Sequence, residues 1–315
     1  MLNILITGAG TITANNVIQT LKDSGKFRIV VTDINRKELV SGSYFADKFY
    51  RVPYGIDNKF IPELLGIVKK EKIDVLIPIV DEELLSISRN KKKFERLGTK
   101  VVISSPKTIA VCNDKYKMYL ALRKNKVLTP DTFLPKDVYK INDAEFPLVI
   151  KPRWGKGSVG VCKIFDKEGL YSLLKQDKDV IIQKHVNGQE YTIDIFCDRN
   201  SEVKVAVPRL RLEIKAGVSY KGRTVKDLYL IKTASKIVRF LHIFGPANLQ
   251  CIKSKGKFYF LEVNPRFSGG LPLTVKSGAN TPLMAIDLVQ GKSIPKQLEF
   301  SPNLNMVRYV KEIFF

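Results

Sequence analysis

Residues 151–160 read Lys-Pro-Arg-Trp-Gly-Lys-Gly-Ser-Val-Gly, and this stretch is the strongest local signal in the sequence. The apolar run at 146–151 predicts a strand that enters it, and 161–165 predicts a strand that leaves it. Glycines let backbone N–H groups close around phosphate oxygens without Cβ clashes, and lysines supply positive charge. The spacing is not that of a Walker A loop, because a strand rather than a helix follows. The stretch therefore predicts a phosphate-covering loop, with a glycine-rich hairpin turn that binds nothing as the alternative.

A second polar cluster ends a predicted strand at 262–266, which reads Glu-Val-Asn-Pro-Arg. Glu262 and Asn264 are two residues apart, so they point to one face of the strand, and Gln250 can lie opposite Glu262 across a hairpin. Oxygen-bearing side chains of this kind suit Mg²⁺ that is shared with substrate phosphates. Arg266 adds a cation where the charge of a transferred phosphoryl group develops. The alternative is a hairpin end with a solvated carboxylate.

A third segment, 183–190, reads Gln-Lys-His-Val-Asn-Gly-Gln-Glu and links two predicted strands. Such a crossing can offer backbone groups to an adenine edge and the carboxylate of Glu190 to ribose hydroxyls. An exposed connector without a ligand is the alternative. His185 is expected to act through its backbone, and His242, which lies among apolar neighbours, is expected to pack. Trp154 is expected to anchor the glycine loop rather than stack on a ligand.

The first third of the chain alternates short apolar runs with amphipathic helices, which predicts a doubly wound parallel sheet in residues 1–108. From residue 109 onward the pattern is α+β with antiparallel strands. We expect a small subdomain at 109–184, which contains the glycine loop, and a C-terminal subdomain at 185–315, which contains the Glu262 cluster.

The turn Gly8-Ala9-Gly10-Thr11-Ile12-Thr13 follows the first strand and opens a helix, and Asp33 ends the next strand. This is close to a dinucleotide fingerprint, but Thr13 stands in place of the third glycine. Turn geometry and a role at the edge of a substrate site are both favoured over nicotinamide binding. Asp81, Glu82 and Glu83 follow another strand, where they can line a ligand site or stabilise the start of a helix.

The chain has 315 residues, 44% of them hydrophobic, and a formal net charge of +22. Its lysines are scattered and are not interleaved with aromatic residues, which argues against nucleic-acid binding. The largest excess is at 204–239, where ten basic residues face Glu213 and Asp227. Arg209 and Arg211 share one strand face there, which suits a small carboxylate; pairing of these arginines with Glu213 or Asp194 is the alternative. The four cysteines form no CxxC pair, so a structural zinc site is not expected.

Taken in order, these motifs resemble the ATP-grasp superfamily, and in detail its carbamoyl-phosphate-synthetase-like branch with its carboxylate–amine ligases. The resemblance covers nearly the whole chain and implies a doubly wound N-terminal domain followed by a two-subdomain ATP-grasp fold. It also implies ATP and Mg²⁺, with Mn²⁺ as an alternative ion, and small-molecule carboxylate and amine substrates, and it is compatible with a homodimer. The sequence itself has no apolar run of the ~18 residues that a membrane helix needs and no signal-peptide pattern, so we expect a cytoplasmic protein.

The resemblance implies a role for each motif residue. Lys115 and Lys151 would contact phosphates, and Arg266 and Arg211 would join Lys151 in phosphoryl transfer. Gln250, Glu262 and Asn264 would be the magnesium ligands. The residues expected around the nucleotide are Lys115, Lys151, Gly155, Lys156, Gly157, Ser158, Gly160, Gln183, Lys184, His185, Val186 and Glu190, with Gly155 to Gly160 as a loop that closes. Gln183 and Gln250 stand where many members have carboxylates.

The function implied is an ATP-dependent ligase that forms an acyl phosphate and joins it to an amine, releasing ADP and phosphate. One alternative is a carbamoyl-phosphate-synthetase-like subunit that phosphorylates bicarbonate or carbamate. Another is a nucleotide-binding or nucleic-acid-binding module without catalytic activity.

Overall fold

The computed structural model describes residues 1–155, 159–176 and 178–314. The N-terminal part is a five-stranded parallel sheet in the order β3-β2-β1-β4-β5. Its strands are β1 (Leu2–Ile6), β2 (Phe27–Asp33), β3 (Lys48–Arg51), β4 (Val75–Ile77) and β5 (Lys100–Val101). The helices here are α1 (Ile12–Lys22), α2 (Ser41–Phe45), α3 (Phe60–Lys70), α4 (Asp81–Arg89) and α5 (Lys91–Arg96). After β5 come α6 (Pro106–Cys112) and α7 (Lys115–Lys124), and Met118 and Leu122 of α7 pack in the core of the C-terminal sheet. The strand order confirms the predicted doubly wound domain.

The carboxyl ends of β1, β2 and β4 lie side by side, because these strands are parallel neighbours. The turn at 8–11, Asp33 and Asp81 all follow these ends, at the edge where open α/β sheets place ligands. The three motifs are therefore neighbours at this edge of the sheet.

A four-stranded antiparallel sheet follows in the order β6-β9-β7-β8. It contains β6 (Thr132–Phe133), β7 (Leu148–Pro152), β8 (Cys162–Ile164) and β9 (Val180–Lys184), with α8 (Lys167–Gln176) packed beside it. Strand β7 leads into the glycine loop and β8 returns from it, as the sequence predicts.

The C-terminal part is a six-stranded antiparallel sheet in the order β14-β13-β10-β11-β12-β15. It contains β10 (Gln189–Cys197), β11 (Val203–Lys215), β12 (Val218–Thr224), α9 (Leu228–Phe240), β13 (Gly245–Ser254), β14 (Lys257–Asn264), α10 (Leu271–Lys276), α11 (Thr281–Val289) and β15 (Asn305–Val307). Three sheets thus occupy three consecutive stretches of chain. This supports domain boundaries near 108 and 184, which stay a prediction.

The N-terminal sheet is joined to the C-terminal sheet by a shared apolar core. Ile4 and Ile77 on one side pack in the same buried cluster as Val205, Phe267 and Ile286 on the other. Burial of this apolar surface stabilises a fixed arrangement of the two parts. In the described ranges, the helices fall short of the length and apolar character that crossing a bilayer requires.

Candidate active site

Three cavities meet at Glu262 and Gly155, which line all of them. The linker cavity, of about 420 Å³, is bounded by Lys151 and the segment 183–188. The arginine cavity, of about 260 Å³, is bounded by Arg209, Arg211 and Arg266. The α4 cavity, of about 400 Å³, is bounded by the start of α4 and Lys115. Glu262 therefore lies where three spaces for ligands converge.

Lys151 and Gln183 face each other across the β7–β9 pair in the linker cavity. The Lys151 Nζ donates to Gln183 Oε1 at 2.9 Å, and Gln183 Nε2 donates to Thr132 Oγ1 at 2.8 Å. Gln183 thus holds the lysine in place. Because a carbonyl oxygen can accept a second hydrogen bond, the expected place of Gln183 beside the nucleotide stays a prediction.

The charge of Lys151 depends on its surroundings. Burial lowers the pKa of its ammonium to about 8, the nearby Glu262 raises it, and Lys115 lowers it further. Burial also lowers the pKa of Lys115, although Glu262, Asp81 and Asp114 act in the opposite direction. Two lysines that are costly to keep charged therefore lie near Glu262 and near each other, and an anion placed beside them would relieve that cost.

The segment 184–190 forms one wall of the linker cavity. Lys184, His185 and Val186 line it, and the His185 N–H donates to the carbonyl of Pro147 at 3.2 Å, which fixes the crossing. Lys184 Nζ forms an ion pair with Glu145, 2.9 Å from its Oε2. The Lys184 ammonium is therefore engaged by Glu145, and the expected backbone role of His185 stays a prediction.

Gln250, Glu262 and Asn264 come together across the β13–β14 hairpin. Gln250 lies opposite Glu262, and Asn264 Nδ2 donates to Glu262 Oε1 at 3.2 Å. A donor set of one carboxylate and two amides is composed of hard oxygen ligands, the kind that Mg²⁺ takes alongside phosphate oxygens. Across 1–155, 159–176 and 178–314, no cluster of three or more His, Cys, Asp and Glu side chains could hold a metal ion.

Arg211 links the linker cavity to the arginine cavity. Its Nη1 donates to Glu190 Oε2 at 2.9 Å and to Gln250 Oε1 at 3.3 Å, and its Nη2 donates to the carbonyl of Gly217 at 2.7 Å. Burial lowers the pKa of this guanidinium, while Glu190 raises it. Arg211 therefore contacts both Glu190, which is expected at the ribose, and Gln250, which is expected at the metal.

Arg209 has a different environment, although it points to the same face of β11. Its guanidinium is 1% exposed and forms a two-pronged pair with Asp194, at 2.8 and 3.1 Å, and a 3.0 Å hydrogen bond to Ser268. The expectation that Arg209 and Arg211 together hold a carboxylate is wrong for Arg209, which pairs with Asp194 instead. Arg209 forms a buried floor under the cavity.

Arg266 is held by the N-terminal domain. Its Nε and Nη2 donate to the two oxygens of Asp81 at 2.8 and 2.7 Å, and its Nη1 donates to the carbonyl of Phe267 at 2.9 Å. Burial opposes the charged guanidinium, but the Asp81 carboxylate outweighs it and raises the pKa of Arg266. Asp81, the first residue of α4, thus fixes the direction in which Arg266 points.

The start of α7 places Lys115 beside the glycine loop. Asp114 caps this helix by accepting from Tyr116 and Lys117, and Arg153 donates to both of its oxygens at 2.9 and 2.7 Å. Lys115 Nζ donates to the carbonyl of Gly155 at 2.8 Å. The Asp114–Arg153 pair therefore joins the helix to the end of β7.

Three of the loop residues predicted to bind phosphates, Lys156, Gly157 and Ser158, lie outside the described residues. Gly160 has φ +70° and approaches Pro152 so closely that a Cβ would lie 2.9 Å from that ring, so the position requires glycine. Trp154 is 45% exposed, lines the α4 cavity and lies under the Arg153 guanidinium. It therefore borders a ligand space, in addition to contacting its neighbour in the loop.

The fingerprint-like turn faces the arginine cavity, which Thr11, Ile12 and Thr13 line. Asp33, which would bind a ribose in a dinucleotide site, instead accepts from the Gly10 N–H at 2.7 Å. A Cβ on Gly42 of α2 would lie 2.4 Å from the carbonyl of Ala9, so α2 covers the turn closely. These contacts favour the substrate-edge interpretation over nicotinamide binding.

Glu83 serves the helix start, as the dipole interpretation predicts. Its Oε1 accepts from the Ile79 and Val80 N–H groups at 3.1 and 2.9 Å and from the Thr7 hydroxyl. The residues missed in the sequence are mostly partners of this kind: Asp114 and Arg153, and the Asp81 contact of Arg266. An Asp just before a helix signals a cap, but its pairing with a residue 39 positions away has no local signal.

Comparison with known proteins shows what this chain is similar to. The family model "ATP-grasp in the biosynthetic pathway with Ter operon" matches residues 176–312, and the model "PylC-like, N-terminal domain" matches residues 4–102. The carbamoyl phosphate synthase large chain of Thermoanaerobacter sp. is 24% identical over 335 aligned residues, which cover 96% of this chain and 30% of that protein. The chain thus spans about a third of the length of such relatives.

Two further proteins show the range of the similarity. The D-alanine–D-alanine ligase of Bacillus anthracis is 31% identical over 157 residues, covering 44% of this chain and 51% of that protein. The ADP complex of N5-carboxyaminoimidazole synthetase from Staphylococcus aureus superimposes with a TM-score of 0.77 at 17% identity, over 95% of this chain and 80% of that chain. That superposition shows the shared fold. Two family models match the two ends of the chain, and a carbamoyl phosphate synthase large chain aligns with 96% of it, so the resemblance to the ATP-grasp superfamily that the motifs indicate is confirmed.

Proposed function

We propose that the chain is an ADP-forming ligase that phosphorylates a small carboxylate with ATP and joins the resulting acyl phosphate to an amine. The observation that carries the proposal is the position of Glu262. It lies between Lys151 in the linker cavity and Arg211 and Arg266 in the arginine cavity. A phosphoryl donor on one side and its acceptor on the other would meet there.

ATP fits the linker cavity by charge and by shape. Lys115 and Lys151 would neutralise its phosphates, the backbone at Lys184 and Val186 would border the adenine, and Glu190 would accept from the ribose hydroxyls. Glu190 also accepts from Arg211, and a carboxylate has acceptor capacity for more than one donor. Several relatives were solved with ADP, which supports this placement of a nucleotide.

Gln250, Glu262 and Asn264 would hold Mg²⁺, whose contribution when bound is to neutralise charge on the phosphates. The residue chemistry fits, because all three present oxygens and one carries a negative charge. With a single carboxylate in the set, the phosphates of the nucleotide would supply much of the negative charge that holds the ion.

The reaction needs no covalent bond to the protein. A carboxylate oxygen attacks the γ-phosphorus of ATP, the bond from that phosphorus to the bridging oxygen breaks, and ADP leaves. The amine nitrogen then attacks the acyl carbon, phosphate leaves with the attacking oxygen, and the nitrogen loses a proton. Arg211 and Arg266 would orient and stabilise the phosphoryl oxygens, and Lys151 would hold the donor, so that positioning and charge supply the rate enhancement.

A second candidate is supported by the relatives that are carbamoyl phosphate synthase large chains. In that case the carboxylate would be bicarbonate or carbamate, and ammonia could come from a partner chain. The arginine cavity, at about 260 Å³, has room for a larger carboxylate than these, which is why we favour the ligase.

The test is a screen of amino acids, other small carboxylates and bicarbonate for ADP release from MgATP. Hydroxylamine traps an acyl phosphate as a hydroxamate. We expect ADP release that depends on one class of organic carboxylate, and a hydroxamate in the presence of the trap. Release with bicarbonate alone would favour the second candidate.

Glu262→Gln should abolish turnover in the same assay, because it removes the one charged oxygen ligand. Glu213→Gln is the matched control, since Glu213 pairs with Lys215 and Lys221 on the exposed part of β11. Release that survives in Glu262→Gln, or no release with any carboxylate, would contradict the proposal.

A further inference from the structure

A fourth cavity, of about 660 Å³, lies away from Glu262, between α4–α6 of the N-terminal domain and the C-terminal domain. The N-terminal domain contributes Arg89, Lys91 and Lys92, around the end of α4, to its lining. The C-terminal domain contributes Arg199, in the turn after β10, and His242, which follows α9. We call this the basic cavity.

Positive charge converges on the basic cavity from separate elements. Arg89, Lys91, Lys92, Lys100 and Arg199 line it, and among the described lining residues Glu95 is the one carboxylate. Glu95 lies 3.8 Å from Lys91, so it can offset one charge of the five. The remaining cations share a concave surface, which focuses their field more than the same charges on a convex face would.

The cavity has a fixed apolar floor. Val101 and Ile103 are buried in it, and the Lys91 ammonium lies 5.4 Å from the Phe244 ring centroid. The Arg199 Nη2 donates to the carbonyl of Leu288 at 3.2 Å, which holds that side chain at the rim. Low-dielectric walls strengthen attraction between these cations and an anion inside.

We propose that the basic cavity binds a small phosphoryl-bearing polyanion, such as a diphosphate group. The lining cations come from four separate elements, α4, α5, β5 and the β10–β11 turn, and from both domains. A ligand with two phosphoryl groups can contact cations of both domains at once, whereas a single phosphate can reach fewer of them.

The chain provides its own reporters for a test. It has two histidines, His185 in the linker cavity and His242 in the basic cavity. Imidazole NMR signals of histidine-labelled protein therefore report the two spaces separately. His242 has φ +54°, so His242→Asn is the variant that assigns its signal, since asparagine tolerates this conformation.

Titration with inorganic pyrophosphate, without nucleotide, should move the His242 signal saturably. Inorganic phosphate should bind roughly tenfold more weakly, and Lys92→Ala/Lys100→Ala should weaken pyrophosphate binding by roughly tenfold or more. The matched control, Lys232→Ala/Lys257→Ala, loses the same charge on exposed positions outside the cavity and should bind like the parent protein. Arg199→Ala, which removes a lining cation of the C-terminal domain, should also weaken pyrophosphate binding.

A His242 signal that stays in place would overturn the proposal, as would one that moves equally in the parent and the Lys92→Ala/Lys100→Ala protein. A shift of His185 alone would place the pyrophosphate in the linker cavity and would also overturn it. The result is independent of the proposed function, which is tested by carboxylate-dependent ADP release and not by His242.

Discussion

Arg209 and Arg211 are two residues apart on one face of β11, yet their partners give them different roles. Asp194 and Ser268 engage the guanidinium of Arg209, which is fully buried. Arg211 lines both the linker and the arginine cavities. The alternation of a strand predicts which side chains share a face, but it does not predict which of them reaches a ligand.

The two arginines should therefore separate stability from activity. Arg209→Ala leaves Asp194 buried without its partner and should lower the free energy of unfolding by about 3–5 kcal/mol. Arg211→Ala should lower it less and should raise the apparent KM for the carboxylate more than the KM for ATP. Thermal denaturation and steady-state kinetics of both variants check this, and equal melting temperatures would count against it.

The lowered pKa of Lys151 predicts a pH dependence of nucleotide binding. Phosphate binds the protonated lysine, so affinity is retained below the pKa of about 8 and falls as pH rises through it. Calorimetric titration of ADP with Mg²⁺ from pH 7 to pH 9.5 should show this fall, by up to about tenfold per pH unit. Lys151→Met should bind more weakly at pH 7 and lose the inflection; an inflection that persists in Lys151→Met would belong to another group.

At the scale of elements, the start of α7 and the end of β7 behave as one unit. Asp114 is fully buried and binds both the helix N-terminus and Arg153, and the next residue, Lys115, contacts Gly155. A cap satisfies N–H groups that the first turn of a helix leaves without partners. Here the cap also fixes the strand that carries the loop.

Asp114→Ala should remove the cap and the ion pair with the partly exposed Arg153, which lowers stability by about 1–3 kcal/mol and weakens ADP binding through Lys115. Asp114→Asn keeps an oxygen for the cap and should cost less. Asp131→Ala is the control, because its pair with Arg123 is exposed and contributes little. We expect the loss of stability and of ADP affinity to decrease in the order Asp114→Ala, Asp114→Asn, Asp131→Ala. Chemical denaturation and ADP calorimetry test this order, and an Asp114→Ala protein as stable as the control would contradict it.

The strands β1, β2, β7, β9, β13 and β14 could be predicted, because their apolar runs and flanking turns are local signals. Strand β12, which reads Val-Ser-Tyr-Lys-Gly-Arg-Thr, was missed because its glycine and charges hide the alternation and its stability comes from pairing with β11.

The prediction that His242 packs was wrong. Its backbone has a left-handed φ just after α9, and its side chain is exposed although both neighbours are buried. The Glu262 cluster was predictable because residues two positions apart on a strand point to the same face of the sheet.

At the scale of the whole molecule, Asp81 and Arg266 connect the two ends of the chain at the site. They lie 185 residues apart, and Ile79 and Phe267, close to each of them in sequence, pack in the shared apolar core. The N-terminal domain thus does more than support the fold, because its α4 sets the direction of an arginine expected at the transferred phosphoryl group.

Asp81→Asn should therefore act as a change in positioning. It weakens the hold on Arg266 and should lower kcat by roughly tenfold or more, with ADP affinity little changed, because a misplaced charge acts mainly on the transition state. Asp81→Glu should restore part of the loss. Asp57→Asn, on an exposed turn of the same domain, is the control. An Asp81→Asn enzyme with unchanged kcat would show that Arg266 needs no partner.

The most direct test of the central claim follows the carboxylate oxygen. With ¹⁸O in both carboxylate oxygens of a substrate found in the screen, attack on the γ-phosphorus and displacement by the amine should carry one ¹⁸O into inorganic phosphate. The phosphate is analysed by ³¹P NMR or mass spectrometry after one round of ligation. We expect one ¹⁸O per phosphate released; label in AMP, or unlabelled phosphate alongside ligated product, would contradict an acyl-phosphate ligase.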